Sequence, residues 1–468
     1  MNLNSLNNKK IGILGLGLEN QALVKYLLKE KVKCEITVCD ARPEIKNDLP
    51  VSWQLGSNFN RGLEKFDILF RSPGWSIACP GIQRAVKIQN RKSKIENFLS
   101  SPMKLFFDLC PTKNTIGVTG TKGKGTTASL IYEILKTAGK MAQRRRGASV
   151  HLGGNIGVAP FEFIDKIRAN DWVVLELSSF QLQDMTKSPK IAVITNFYSE
   201  HLASADPNNP NYHKSLEEYR RAKLNIVKWQ KGGDKMVLNP KSQIPRLDSH
   251  ARRARRANPE QISNFKYEIS KQIKGKVVYF RKFELPSKLM GEHNKENIGA
   301  AVAVAKIVGV KNDKIKKAVA GFKGLPHRLE LVRTYQGVKY YNDSFATTPE
   351  STMIALKSFA ESVVLLLGGA DKGANFKKLA KEIKKRVKQV VLLAGDSTPR
   401  IGKELLTAGL KPEKIELAHD IKTAVKIAAR QAVRGEIILL SPACASFGMF
   451  RNYKERGDLF KAEVRKLR

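Results

Sequence analysis

Short apolar runs that stop at glycine, serine or an acidic residue recur along the whole chain, with helix-like stretches between them. KIGILGLG, CEITVCD and FDILFRSPG form a first series. TIGVTG, DWVVLELSSF, IAVITNF, KMVLN and KVVYF form a second, and VKYYNDS, SVVLLLGGADKG, QVVLLAGD and EIILLSPACASF a third. Apolar strands separated by helical patterns imply mostly parallel sheets, so an α/β chain is expected. Its 468 residues exceed what one hydrophobic core supports, in line with several domains.

Hydrophobic residues make up 42% of the chain and 34 residues are glycine, the composition of a globular protein. The N-terminus lacks the apolar region of a secretion signal, and no apolar run approaches the roughly 20 residues that span a bilayer. A cytoplasmic chain without membrane insertion is therefore expected. Cys34, Cys39, Cys79, Cys110 and Cys444 lack C-x-x-C spacing, which suggests neither a disulfide framework nor a zinc site. The charge is less ordinary: 83 Lys and Arg against 43 Asp and Glu give +40. QRRRGAS (143–149) and ARRARRAN (251–258) concentrate it. A basic solvated surface accounts for this, and an RNA contact or attraction to acidic lipid is the sharper alternative.

GVTGTKGKGTTASL, residues 117–130, has the form of a phosphate-binding loop between a strand and a helix. Backbone N–H groups of such a loop point at phosphate oxygens, and Lys124 can reach a terminal phosphate. Gly125 stands where a metal-binding hydroxyl is usual. Thr126 offers one a residue later, and Mg²⁺ retains waters and needs only one or two carboxylates. Glu176, at the end of VVLELSS, is a candidate ligand, although a surface salt bridge would explain it as well. His201 in TNFYSEHL is a second candidate, and a lone histidine can be structural. The opening strand, glycine turn and helix, followed by a strand ending at Asp40, have the layout of a dinucleotide-type fold. Asn20 and Gln21 occupy the region of its third glycine. Ser72-Pro73-Gly74 reads as a turn at a ligand-binding sheet edge or as an ordinary strand end.

GVTGTKGKGTT, LGGNIG, VLELSSFQL, AKLNIV, GEHNKEN, LPHRLE, NDSFATTPEST and LSPACASFGMFRNYKERGDLF occur in the order found in Mur ligases. The chain resembles that family over almost its whole length, and within it the members that add D-glutamate. The resemblance implies three domains: a Rossmann-like UDP-substrate domain (1–108), a central P-loop ATPase-like domain with a mostly parallel sheet (109–323), and a C-terminal Rossmann-like amino-acid domain (324–468). It implies that ATP phosphorylates the carboxylate of UDP-N-acetylmuramoyl-L-alanine and that the amine of D-glutamate attacks the acyl phosphate, with Mg²⁺ present. A monomer and no nucleic-acid partner are expected.

By the same resemblance, Gly120, Thr121, Lys122, Gly123, Lys124, Gly125, Thr126 and Thr127 form the ATP loop, and Asn294, Asn297, Arg328 and Asp343 also position the nucleotide. Glu176, His201 and a carbamylated Lys223 match metal ligands, joining the Thr126 hydroxyl read from the loop itself, and Lys124 with Glu176, His201 and Lys223 is the expected catalytic set. From its local sequence alone, Lys223 reads as a helix-surface cation. Gly15, Leu16, Arg42 and Gly74 match the uridine diphosphate pocket, and Asn155, Ser178 and Gln181 the muramoyl end. Thr347, Lys372, Ser446 and Tyr453 match D-glutamate contacts. Departures from the family pattern are Gly125, Glu200, Ala203-Ser204, Gly448 and Phe345, the last standing where many relatives have lysine.

Overall fold

The computed structural model describes residues 1–92, 98–141, 148–197, 211–240, 274–371 and 373–468. His201, Lys372, Glu200, the 251–258 arginines and most of the 143–149 cluster lie outside them. The described chain is α/β with three sheets.

The first sheet comprises β1 (Lys10–Leu14), β2 (Glu35–Asp40), β3 (Ser52–Leu55), β4 (Ile68–Arg71) and β5 (Leu99–Ser100), with helices α1 (Leu18–Lys29), α2 (Pro80–Lys92) and α3 (Pro102–Leu109) between and after them. The strands run parallel in the order β3-β2-β1-β4-β5. Strand order reverses at β1, so a crevice opens where β1 and β4 end. Gly15, Leu16 and Gly74 follow those two strand ends.

The second sheet is built from β6 (Thr115–Thr119), β7 (Val150–Gly154), β8 (Trp172–Glu176), β9 (Ile191–Ile194), β10 (Lys235–Leu238) and β11 (Lys276–Tyr279). The helices here are α4 (Lys124–Met141), α5 (Ser179–Leu182), α6 (Leu216–Lys228), α7 (His293–Ile307) and α8 (Asn312–Gly321). All six strands are parallel, in the order β11-β10-β9-β6-β8-β7. β6 thus lies between β8 and β9, which puts the loop after β6 beside Glu176 on one flank and Thr195 on the other.

The third sheet contains β12 (Glu330–Tyr335), β13 (Val338–Asn342), β14 (Val363–Leu367), β15 (Val387–Leu393), β16 (Ile415–Ala418) and β17 (Ile437–Leu440) in the order β12-β13-β17-β14-β15-β16. Helices α9 (Pro349–Lys357), α10 (Lys377–Arg386), α11 (Thr398–Thr407), α12 (Ile421–Gln431) and α13 (Tyr453–Lys466) accompany it. β12 is antiparallel to β13 and the other pairs are parallel. The hairpin turns at Gln336 and Gly337, both at positive φ (49° and 77°), the sense that matches strand twist.

Two compact units result, Met1–Leu285 with Glu296–Val319, and Pro286–Lys295 with Ala320–Arg468. In the first unit the first two sheets share one core: Ile13, Val24 and Phe70 cluster with Val173, Leu175 and Ile194, and Tyr26 meets Phe161 ring to ring at 5.0 Å. In the second unit alternate residues of β14 enter opposite cores, Val363, Leu365 and Leu367 on one face and Val364 and Leu366 on the other. A strand buried on both faces is apolar throughout, which is why these runs stand out in the sequence. Among the described residues no helix is long and apolar enough to cross a membrane.

Candidate active site

The loop after β6 can be built only with glycine at two places. Gly120 has φ +142° and Gly123 φ +81°, a region that side chains disfavour. A Cβ on Gly120 would lie 2.0 Å from Thr195 Oγ1, and one on Gly123 2.2 Å from Asn297 Oδ1. The neighbouring strand end holds the loop: Asn196 O accepts from Thr121 N at 3.0 Å, Asn196 Oδ1 from Lys122 N at 2.8 Å, and Asn196 Nδ2 donates to Lys122 O at 3.0 Å. Thr195 Oγ1 donates to Lys122 O at 2.7 Å. Lys124 folds back over the loop, Nζ donating to Thr121 O at 2.9 Å. Thr127 Oγ1 donates to Asn297 Oδ1 at 3.2 Å, so Asn297 contacts the loop. Gly125 is buried and Thr126 half-buried.

Glu176 ends β8 in register with Val118 of β6. It is 5% exposed, and its Oε1 accepts from Asn155 Nδ2 at 3.0 Å while its carbonyl accepts from Asn155 N at 2.9 Å. Asn155 thus orients the carboxylate. Lys223 is no surface cation: it is 2% exposed, with Nζ donating to Gly120 O at 2.8 Å and lying 4.8 Å over the Tyr219 ring. Tyr219 in turn bonds Thr121 Oγ1 through its hydroxyl at 2.8 Å. Helix α6 carries both because Ser215 caps it, accepting from Glu218 N at 3.1 Å.

At the crevice of the first sheet, Gly15 takes φ +79° and Leu16 N donates to Asp40 Oδ2 at 2.8 Å. Arg42 donates twice to Asp40, Nε to Oδ1 and Nη2 to Oδ2, each at 2.9 Å. Burial pushes the Asp40 carboxyl up, but these bonds outweigh it and hold it below its ordinary value. Gly74 is exposed. Helix α1 starts at Gly17 with no side-chain cap, which leaves first-turn N–H groups available to an anion. Ser178 caps α5 in a box with Gln181: Ser178 N donates to Gln181 Oε1 at 2.7 Å and Gln181 N to Ser178 Oγ at 3.1 Å.

Three residues here escaped the sequence reading. Gln181 Nε2 donates to Glu19 Oε1. Arg71, fully buried, donates to Asp184 Oδ2 at 3.2 Å and to the carbonyls of Ser72, Trp75 and Phe180 at 3.2, 2.9 and 2.9 Å. β4 and α5 are clasped by this one guanidinium. An arginine closing the apolar run DILFR was the available signal.

In the second unit Asp343 follows β13 and Ser441 follows β17. Ser441 Oγ donates to Asp343 Oδ2 at 2.9 Å and Leu329 N to its Oδ1 at 3.2 Å. Burial pushes the Asp343 carboxyl up to about 7, against the pull of the Ser441 bond. Arg328 lies beside it, its guanidinium 3.6 Å from the Phe345 ring centre. Ser446 is buried, and Thr347 and Tyr453 are half-buried. Asn294 caps its own turn, Nδ2 donating to Met290 O at 2.6 Å. Arg456, unread in the sequence, is fully buried and donates to Ser344 Oγ and O at 3.0 and 2.8 Å and to the Cys444 and Ala445 carbonyls at 3.2 and 3.3 Å. It ties the two strand-end loops together.

A glycine-enforced loop at the centre of a parallel sheet, with a lysine at its helix start and a buried carboxylate beside it, defines a nucleotide-binding α/β protein. Family comparison is more specific: the MurD-like N-terminal domain matches residues 9–91, the Mur ligase middle domain 118–305, and the Mur ligase glutamate ligase domain 327–444. The chain belongs to the Mur ligase family. UDP-N-acetylmuramoylalanine--D-glutamate ligase of Acetivibrio thermocellus is 38% identical over 480 residues, covering 98% of this chain and 97% of the relative. The ligase of that name from Clostridium tetani is 35% identical over 483 residues, with 98% and 97% covered. Among solved structures, the UDP-N-acetylmuramate-alanine ligase MurC of Thermotoga maritima superposes with a TM-score of 0.57 at 18% identity, covering 98% of this chain and 99% of that one. It shares the fold.

Proposed function

We propose that this chain is the ATP-dependent ligase that joins D-glutamate to UDP-N-acetylmuramoyl-L-alanine, a cytoplasmic step of peptidoglycan precursor synthesis. The observation that carries the reading is 38% identity to a D-glutamate ligase over nearly the full length of both chains, and the loop geometry supports it. ATP transfers its terminal phosphoryl group to the substrate carboxylate. The amine of D-glutamate then attacks the acyl carbon, and the tetrahedral intermediate expels phosphate to leave the amide. Such chemistry rests on positioning and on neutralising charge as it develops.

Gly120–Thr127 would cradle the phosphates, and Lys124 would exchange its bond to Thr121 O for a phosphate oxygen. The Glu176 carboxylate, buried and oriented by Asn155, and the Thr126 hydroxyl are hard oxygen donors that fit Mg²⁺. Bound there, Mg²⁺ would neutralise phosphate charge. Lys223 would join them as a carbamate, and His201 from the segment after β9. Ser178 and Gln181 would orient the muramoyl end, Leu16 and Arg42 the nucleotide end, and Thr347, Lys372, Ser446 and Tyr453 the D-glutamate.

The test is phosphate release with UDP-N-acetylmuramoyl-L-alanine, ATP and Mg²⁺, run with D-glutamate, L-glutamate, other amino acids or none, with mass detection of the product. A new amide only with D-glutamate is expected. Turnover with a different amino acid would move the acceptor assignment, and no turnover by folded protein would reject the reading.

A further inference from the structure

We propose that Phe345 is a positioning residue for the ligation, an aromatic plate that fixes Arg328 on one side and Tyr453 on the other. The inference rests on the proposed ligase reaction, in which Arg328 faces the nucleotide and Tyr453 the amino acid. Phe345 is 37% exposed yet makes two ring contacts: the Arg328 guanidinium carbon lies 3.6 Å from its centre, and the Tyr453 ring meets it nearly perpendicular, at 85° and 4.9 Å.

The backbone is arranged to produce this meeting. Arg328 sits between two non-glycine residues at positive φ, His327 (62°) and Leu329 (42°). Such residues are strained and persist only where surrounding bonds hold them. Those bonds are present: His327 N donates to Glu330 Oε2 at 2.8 Å, Leu329 N to Asp343 Oδ1 at 3.2 Å, and Phe345 N to His327 O at 3.0 Å. The last joins the two segments directly beside the stacked pair. His327 itself is locked by Asn342 Nδ2 at 3.0 Å from its Nδ1, and its ring stands edge-on to Tyr453 at 5.9 Å.

A guanidinium stacked on a ring keeps its N–H groups in its own plane, the plane in which it forms a fork to phosphate or carboxylate. It also loses the freedom to swing, so less order must be imposed when ligand binds. A lysine at position 345 would add a cation but would repel Arg328 and remove one of the two rings that meet Tyr453. Phenylalanine supplies orientation in place of charge.

The test compares wild type with F345A, F345Y and F345K in steady-state ligation, and measures calorimetric binding of a non-hydrolysable ATP analogue with Mg²⁺. For F345A, KM for ATP, KM for D-glutamate and Kd for the analogue are expected to rise about three- to ten-fold, the range of a partly exposed cation–π contact. The melting temperature should stay near wild type, because the ring is on the surface. F345Y should keep wild-type constants, and F345K should resemble F345A. Unchanged constants in F345A, or improved ligation by F345K, would overturn the proposal. If wild type ligates nothing, the ligase reading falls, and the analogue affinities still decide whether the ring positions Arg328.

Discussion

Replacing Glu19 by glutamine should make the first unit more stable at neutral and alkaline pH. Glu19 lies in the first turn of α1; part of the residue is exposed, but its Oε2 is sealed from solvent and has no hydrogen-bond partner among the described residues. Burial pushes its carboxyl from 4.5 up to about 7; the Gln181 bond and the Arg71 charge pull it down, and Asp184 pushes it up. The folded state therefore holds the proton more tightly than the unfolded chain. Stability from this group is fully present below pH 4.5 and is lost as pH rises through 7. At about 1.4 kcal/mol per pH unit, the interval amounts to about 3 kcal/mol. Glutamine still accepts from Gln181 and cannot ionise, so the variant should match wild type at pH 4.5 and exceed it by up to about 3 kcal/mol at pH 8. Asp343, also raised to about 7 by burial, remains in both proteins and cancels in the difference. All four tryptophans (Trp53, Trp75, Trp172 and Trp229) belong to the unit that contains Glu19, so their fluorescence during urea unfolding reports the right part of the chain. Parallel stability curves from pH 4.5 to 8 would refute the reasoning.

Gly123→Ala should raise KM for ATP about ten-fold or more without unfolding the sheet, since both φ and the Asn297 contact oppose a Cβ; an unchanged KM would mean that the loop adapts. Asn155→Ala should raise the Mg²⁺ concentration for half-maximal turnover about ten-fold, because it frees the Glu176 carboxylate to rotate; a metal titration at saturating substrates reads this directly. Arg456→Leu should cost the second unit at least about 3 kcal/mol, since four buried acceptor bonds are lost, as measured by hydrogen exchange across β13 and β17.

The inner strands were legible because strands covered on both faces are apolar almost throughout; the edge strands β3, β5, β7 and β16 were not. β12 was not either, since ELVRTY has a register shift between Leu331 and Arg333 that breaks its alternation at a half-exposed edge, and it turns through Gln-Gly, which lacks the asparagine or aspartate that usually marks such a hairpin. The glycine-rich loop was legible as a strand-to-helix turn, because backbone that curves through positive φ, as at Gly120 and Gly123, requires glycine. The network of Glu19, Arg71 and Asp184 was hidden for a different reason: its members come from three separate segments, and only Arg71, at the end of an apolar run, differs from ordinary surface charge.

Lys223 shows where a sharper reading was possible. The buried residues of α6 are Tyr219, Ala222, Lys223, Ile226 and Val227, so the lysine stands squarely in the apolar stripe, three and four residues from other core positions. Arg456 does the same in α13, in line with Phe460 and Val464. A long cation on the core face of a helix must find acceptors or lose its solvation uncompensated. In both cases the acceptors are carbonyls of strand-end loops: Gly120 for Lys223, and Ser344, Cys444 and Ala445 for Arg456. These carbonyls are left over where a strand stops and a loop turns away, which is also where a parallel sheet binds its ligands. The cation that satisfies the loop thereby fixes the loop's shape, so a lysine or arginine in an apolar helical stripe points to the binding edge of the neighbouring sheet.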